Sequence, residues 1–230
     1  MNNTVHRLSR TAGFLLAWTI VLFTLAAAIY GMAGNGDLLA RKMLLYAPPE
    51  TTGLPETEYP GVACMTAAYL TGREESFQYT FSDTEGTVWV CFRSHEADHM
   101  ADCRELIRLA GALRWIFGGM ALVLAGAGLL LRQRKSFTGG VLTGFGFAGA
   151  ACTALALWAL TGFDSLFIAF HRLAFTNDGW LLDPRTDLLI RLMPTEFFVA
   201  LGARLLLWVI AAMLAAGIAA WIVGKKEPEL

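Results

Sequence analysis

The chain has 230 residues, of which 56% are hydrophobic, and its formal net charge at pH 7 is −1. With a mean hydropathy of +0.51, it is too apolar for an ordinary soluble domain. The near-neutral charge and the lack of a basic motif that reads RNA or DNA argue against a nucleic-acid partner. The composition therefore predicts an integral membrane protein.

Four apolar stretches reach the length of about 20 residues that a helix needs to cross a bilayer. They cover residues 13–32, 109–131, 139–163 and 195–223. Glycines weaken the third stretch and leave a re-entrant segment as the alternative, but the same glycines suit close helix packing in lipid, which we favour. The expected fold is an all-α membrane protein, a four-transmembrane-helix bundle with a small extracytoplasmic segment that contains a β-hairpin and short helices.

Positively charged residues predict which side of the membrane each segment occupies. They form three clusters: Arg7 with Arg10, Arg132 with Arg134 and Lys135, and Lys225 with Lys226. Such clusters mark the cytoplasmic side, so we expect both termini inside. The predicted division is 1–32 (N-terminus and first span), 33–108 (outer segment), 109–131 (second span), 132–138 (cytoplasmic loop), 139–163 (third span), 164–194 (outer loop) and 195–230 (fourth span and C-terminus). A cleaved signal peptide is the alternative for residues 1–33, although their apolar run exceeds the roughly 7–15 residues of a signal sequence.

The outer segment carries the patterns of short helices and one hairpin. It predicts a helix over 37–46, a short helix or strand over 62–70, of which we favour the helix, and strands over 76–82 and 87–92. The first strand alternates aromatic and polar residues, and a turn-forming sequence separates it from the second strand. Ser94 and the acidic residues after it predict a helix start, and this helix is expected to continue into the second span. Cys64 and Cys91 share the segment and form either a disulfide or two free thiols.

The predicted helix after the hairpin contains the first candidate for chemistry, His95-Glu96-Ala97-Asp98-His99. It matches H-E-x-x-H, in which two histidines one turn apart share a zinc ion and the glutamate acts as a base. Asp98 departs from the uncharged residues usual in zinc peptidases, and only Asp102 or His171 could supply a third ligand. A zinc-dependent membrane peptidase that uses His95, Glu96 and His99 is therefore one alternative.

A second candidate site pairs His99 with His171, which lies in the outer loop. Asp102 is on the same helix face as His99 and could hold its ring in one tautomer, while Asp178 follows His171. Two histidines on one side of the membrane, each with an acid nearby, favour an acid–base site.

Two further residues stand out by their position relative to the membrane. Trp180 lies in the outer loop and suits the depth of the lipid headgroups. Arg204 lies inside the fourth apolar stretch. It either snorkels or pairs with a carboxylate, or it binds an anionic or ester-oxygen group inside the protein.

Two blocks of sequence carry a resemblance to a known family. They are Glu96-x-x-His99-Met100-x-Asp102 and Phe170-His171-x-x-Phe175-x-Asn177-Asp178-x-Trp180-Leu181-Leu182-Asp183-Pro184-x-Thr186-Asp187-x-Leu189-Ile190-x-x-x-Pro194-x-Glu196-Phe197-Phe198. Together with the four spans, these blocks resemble the lipoprotein intramolecular transacylase family (Lit) over nearly the whole chain. Cys103 stands where the resemblance leads us to expect an aliphatic residue, and Ala174 stands where an aromatic residue is usual.

The resemblance implies an acyltransferase in the cytoplasmic membrane of a Gram-positive bacterium, with its site on the extracytoplasmic face. Its substrate would be a diacylated lipoprotein, whose sn-2 acyl chain moves to the α-amino group of its own N-terminal cysteine to give the lyso-form. His99 and His171 would be the catalytic pair. The supporting residues would be Asp102, Asp178, Glu96, Arg204 and Trp180. We expect membrane lipids as neighbours and neither a cofactor nor a metal; a non-catalytic membrane scaffold is the last alternative.

The residue chemistry is compatible with this reaction. An amine that attacks an ester must lose a proton, and the leaving alkoxide must gain one, which a histidine with an unperturbed pKa of about 6.5 can mediate. Donor and acceptor belong to one substrate, so holding them together can supply about 7–11 kcal/mol, and the lack of a G-x-S-x-G nucleophile elbow agrees. We assign His171 as the base and His99 as its acid partner, while the sequence leaves the reverse assignment open.

Overall fold

The computed structural model describes residues 2–130 and 133–225, which fold into helices and one small hairpin. The helices are α1 (Asn2–Ala33), α2 (Gly36–Tyr46), α3 (Pro49–Thr52), α4 (Tyr59–Leu70), α5 (Ser94–Leu130), α6 (Arg134–Ala174), α7 (Leu188–Leu192) and α8 (Thr195–Lys225), and the strands are β1 (Thr80–Ser82) and β2 (Val88–Val90). A short 3-10 helix at Glu56–Glu58 precedes α4. The chain divides into unit 1 (Met1–Ala28, Gly111–Trp158 and Arg204–Leu230) and unit 2 (Ile29–Ala110 and Ala159–Ala203).

Within the described residues, four helices are long and apolar enough to cross a membrane: α1, α5, α6 and α8. The expectation of four candidate spans is confirmed. The helices are longer than the apolar stretches. In α5 the polar residues 94–108 form the first turns of the same helix as the second span, as expected. Leu131, at the predicted end of the second span, and the predicted cytoplasmic residues Arg132 and Lys226 lie outside the described residues.

Close contacts between α1 and α6 hold unit 1 together. A Cβ atom added at Gly13 would collide with the carbonyl oxygen of Phe137, and one added at Gly140 would collide with that of Arg10. Gly144 packs against Ala17 in the same way. Such contacts let two helix backbones approach closely in lipid. Gly140 and Gly144 of the third stretch therefore serve helix packing, and α6 is a long helix whose backbone leaves helical geometry only at Gly162.

Unit 2 has a mixed core built from the short helices and the hairpin. Its most buried side chains include Met43 of α2, Tyr59 and Val62 of α4, Leu192 of α7 and Phe197 of α8. The short helices predicted over 37–46 and 62–70 are confirmed as α2 and α4.

The hairpin is also confirmed, and it is shorter than predicted. Strands β1 and β2 pair antiparallel with Phe81 opposite Trp89, and Gly86 takes the positive φ of 83° that the turn requires. Phe77, at the start of the predicted strand, is instead buried against Phe92. Burial of this ring takes the chain away from the strand pairing. Cys64 and Cys91 are free thiols, so the alternative of a disulfide between them is wrong.

Candidate active site

The carboxylate of Glu96 fixes the start of α5, the helix that carries His99. Glu96 is fully buried. It accepts a hydrogen bond from the backbone N–H of Arg93, at 2.8 Å, and another from the backbone N–H of Leu189, at 2.7 Å. Both donors lie at helix starts, where backbone N–H groups lack partners within the helix. Glu96 thus joins the beginnings of α5 and α7 and is a structural residue here.

A second buried carboxylate, Asp187, holds the loop before α7. It accepts hydrogen bonds from the backbone N–H of Asp183 and the hydroxyl of Thr186, and it pairs with His95 Nε2 at 3.0 Å. Burial raises the pKa of Asp187, but these hydrogen bonds and the nearby His95 lower it overall, so the carboxyl group titrates below its ordinary range. The loop is therefore anchored by an ionised side chain.

These two networks use the residues that the zinc-peptidase alternative requires. His95 bonds to Asp187, and both oxygens of Glu96 accept backbone N–H groups. No group of three His, Cys, Asp or Glu within residues 2–130 and 133–225 is arranged to hold a metal ion. The H-E-x-x-H pattern is therefore a structural helix start.

His171 lies near the end of α6, in a pocket of aromatic rings, and is only 6% exposed. The ring of Phe167 is 4.0 Å from the His171 ring and that of Trp180 is 5.0 Å away, measured between centroids, and Phe170 and Phe175 complete the pocket. His171 Nδ1 lies 2.8 Å from the carbonyl oxygen of Phe167. Because a carbonyl oxygen can only accept, Nδ1 carries the proton of the neutral ring and the lone pair is on Nε2.

His99 lies in the same pocket and is 8% exposed. Its ring centroid is 6.0 Å from that of His171, and Phe175 packs against both rings. His99 Nε2 is 3.6 Å from Cys103 Sγ. Its other nitrogen, Nδ1, is buried and has no hydrogen-bond partner among the described residues. The expected meeting of the two histidines is confirmed, while their catalytic role stays a prediction.

The two aspartates expected to orient the histidines do something else. Asp102 accepts a hydrogen bond of 2.9 Å from Asn177 Nδ2, and the side chain of Asp178 is exposed. Asn177 also accepts from the backbone N–H of Gly179, so it shapes the turn after α6 and ties that turn to α5. Asn177 is thus a site residue that spacing arguments missed; its signal was the Asn-Asp-Gly turn directly after the helix.

The last two predicted residues differ in outcome. Trp180 is half-buried and packs against His171, so it belongs to the pocket. Arg204 is exposed on α8 and belongs to unit 1, whereas both histidines belong to unit 2. Its role as a supporting residue stays a prediction.

The fold and the pocket define a class: a helical membrane protein with two buried imidazoles in one aromatic pocket. The family model described as lipoprotein intramolecular transacylase Lit matches residues 14–198, and the chain belongs to this family. It is accordingly a membrane-integral acyltransferase, with a lipoprotein as its substrate class. The zinc-peptidase and scaffold alternatives are thereby overturned.

Solved structures of one family member share the fold. The in meso structure of the membrane-integral lipoprotein intramolecular transacylase Lit from Bacillus cereus is 20% identical, with a TM-score of 0.77 over 96% of this chain and 97% of that one. A histidine-to-arginine variant of that protein is 19% identical, with a TM-score of 0.69 over 98% of this chain and 94% of that one. At such identities the likeness establishes the fold alone. No curated protein sequence matches the chain.

Proposed function

We propose that this protein moves the sn-2 acyl chain of an S-diacylglyceryl lipoprotein to the α-amino group of that lipoprotein's own N-terminal cysteine. The product is a lyso-form lipoprotein. The observation that carries the proposal is the buried pair of imidazole rings, 6.0 Å apart, in a member of this family. The reaction takes place on the extracytoplasmic face of the bacterial cytoplasmic membrane, with both termini of the chain in the cytoplasm.

His171 acts as the base in this scheme. The carbonyl of Phe167 engages Nδ1, so Nε2 is the nitrogen that can take a proton from the attacking amine. The amine nitrogen then forms a bond to the ester carbonyl carbon. Fixing the ring by a hydrogen bond from its second nitrogen is how general bases are commonly oriented.

His99 acts as the acid. When the tetrahedral intermediate collapses, the bond between the acyl carbon and the glyceryl oxygen breaks, and His99 delivers to that oxygen the proton that it has received from His171. One proton thus passes from the amine to His171, from His171 to His99 and from His99 to the glyceryl oxygen, so both rings return to their neutral state. The ring centroids lie 6.0 Å apart, so the two imidazoles can serve one reacting centre.

The aromatic pocket supports the acid–base chemistry in two ways. The rings of Phe167, Phe170, Phe175 and Trp180 exclude water from His171, and electrostatic interactions are stronger where water is absent. They also offer an apolar surface to the acyl chain and the glyceryl carbons. The enzyme supplies no nucleophile, because the substrate brings its own amine.

The test is expression in a host that makes only diacylated lipoprotein, followed by mass spectrometry of the N-terminal lipopeptide. We expect one acyl chain to appear on the cysteine amine and to leave the glyceryl group, with no change in total lipid mass. A mixture of substrates with isotopically light and heavy acyl chains distinguishes transfer within one lipopeptide from transfer between two lipopeptides. Products with only their own label support transfer within one molecule, whereas exchanged labels or an unchanged lipopeptide would refute the proposal.

A further inference from the structure

Each histidine of the pair has one ring nitrogen engaged by a neighbour one helical turn away. For His171 the neighbour is the carbonyl of Phe167, at 2.8 Å from Nδ1. For His99 it is the thiol of Cys103, at 3.6 Å from Nε2. Asp102, the carboxylate that could have oriented His99, is bonded to Asn177. Cys103 is therefore the polar neighbour that the structure gives to the ring of His99.

The direction of this sulfur contact follows from the other nitrogen of His99. A thiol can either donate to an imidazole nitrogen or accept from an imidazole N–H. If Cys103 donated, the ring proton would be on Nδ1, which is buried and has no acceptor among the described residues. Buried N–H groups without a partner are rarer than buried acceptors without one. The favoured arrangement therefore has Nε2–H directed at Cys103 Sγ and a lone pair on Nδ1.

We propose that Cys103 is a positioning residue for the acyl transfer: its sulfur accepts Nε2–H of His99, so that Nδ1 is the nitrogen that gains and loses the proton. The proposal rests on the proposed function. In both rings, one nitrogen then bonds to a neighbour one helical turn away, and the other nitrogen, Nδ1 of His99 or Nε2 of His171, carries the proton transfer. An aliphatic residue at this position would leave Nε2–H without its sulfur acceptor, and the ring would no longer favour one tautomer.

The kinetic test uses the full chain in detergent micelles with a synthetic diacylglyceryl lipopeptide. We expect Cys103→Val to lower kcat about tenfold with KM nearly unchanged, because the substrate contacts remain while the ring of His99 loses its partner. Cys103→Ser should restore kcat to within about threefold, since a hydroxyl oxygen also accepts an N–H. Cys64→Ala, which removes an exposed thiol, should leave both constants unchanged.

The spectroscopic test does not depend on activity. The chain has four histidines, and nitrogen-15 NMR of the ring nitrogens reports which one of each ring is protonated; the signals of His99 are those lost in His99→Ala. In the unaltered chain we expect protonated Nε2 and unprotonated Nδ1 for His99. In Cys103→Val we expect a mixture of the two tautomers.

These readouts separate failure of the inference from failure of the proposed function. An unaltered chain with protonated Nδ1 in His99 overturns the inference even if Cys103→Val does not fold. So does a folded Cys103→Val with unchanged kcat and an unchanged His99 tautomer. An unaltered chain that makes no lyso-form product overturns the proposed function, and the NMR result still decides the position of the ring proton.

Discussion

Unit 1 and unit 2 bury different kinds of polar residue. In unit 1 the buried polar side chains are Ser9, Thr19 and Thr138, whose hydroxyls donate to backbone carbonyls. In unit 2 they include every buried aspartate, glutamate and histidine of residues 2–130 and 133–225: Glu96, His99, His171 and Asp187. Burying an ionisable group is costly unless it is bonded, so the difference places the candidate site residues in unit 2 and leaves unit 1 with hydroxyls that bond to the backbone.

A second contrast lies inside unit 2. The two buried carboxylates have their oxygens bonded to backbone and side-chain donors. Each histidine instead has one ring nitrogen without a hydrogen-bond partner among residues 2–130 and 133–225. Carboxylates whose oxygens all accept hydrogen bonds stabilise the fold, whereas imidazoles with one unbonded nitrogen can exchange a proton with a substrate.

The largest effect is expected at the base. His171→Ala should lower kcat by about 10²–10⁴-fold, the usual contribution of general acid–base catalysis, with the variant still folded. His6→Ala, which removes an exposed histidine of α1 in unit 1, should leave kcat unchanged. Lyso-form lipopeptide measured by mass spectrometry gives both rates. A His171→Ala variant with more than a tenth of the original rate would remove this residue from the mechanism.

The packing role of unit 1 is tested at its glycines. Gly140→Val drives a side chain into the backbone of α1 at Arg10 and should destabilise the protein by about 1–3 kcal/mol or more. Gly139→Val is the matched control, because nothing lies within 4 Å of a Cβ atom there. Thermal unfolding in detergent measures the difference. Equal melting temperatures for the two variants would contradict the packing role.

The buried carboxylate of Glu96 is expected to matter for stability. Glu96→Gln places an NH2 group against one of two backbone N–H donors, which should destabilise the protein by about 1–3 kcal/mol. Glu105→Gln loses only an exposed ion pair with Arg108, worth about 1 kcal/mol or less. Chemical unfolding of both variants should rank them in this order, and the reverse ranking would refute a structural role for Glu96.

The link between Asp102 and Asn177 is expected to have a smaller effect, on rate. Asn177→Ala removes the 2.9 Å hydrogen bond that ties the turn after α6 to α5, and we expect kcat to fall about tenfold, which corresponds to about 1.4 kcal/mol. Asp178→Asn alters the exposed neighbouring residue and should have little effect. Steady-state kinetics measures kcat of the two variants. A greater fall in kcat for Asp178→Asn than for Asn177→Ala would contradict this prediction and make Asp178 a site residue.

The smallest effect is a pH dependence of stability through Asp187. Its folded-state pKa lies below the ordinary value, so its contribution is present above the unfolded pKa of about 3.9 and is lost as the pH falls through the folded pKa. Asp187→Asn should therefore melt below the unaltered chain at pH 6, and the gap should narrow below about pH 4. This substitution removes only the carboxylate and keeps its ion-pair partners, His95 and Arg93. A gap that widens in acid would reverse the sign of the shift.

Features that depend on local sequence could be predicted. The four long helices follow from apolar length, the hairpin from alternation and a turn, and the start of α5 from Ser94 and its acidic neighbours. The pairing of His99 with His171 was also predicted, because both residues lie on the same predicted side of the membrane and in the two blocks that resemble the family. In each case the signal lies within one helix, one turn or one motif.

The partners of the polar side chains were decided by tertiary structure alone. The sequence suggested Asp102 as the partner of His99, but Asp102 accepts a hydrogen bond from Asn177. Glu96 accepts a hydrogen bond from the backbone N–H of Leu189, which lies 93 positions along the chain. The ring nitrogen that each histidine leaves free likewise depends on Phe167 and Cys103. Hydrogen bonds form over about 3 Å and need a defined direction, so their partners follow from how distant helices pack. By itself the sequence determined the helices, the hairpin and the chemical groups, and only the packing of unit 2 decided which nitrogens and oxygens meet.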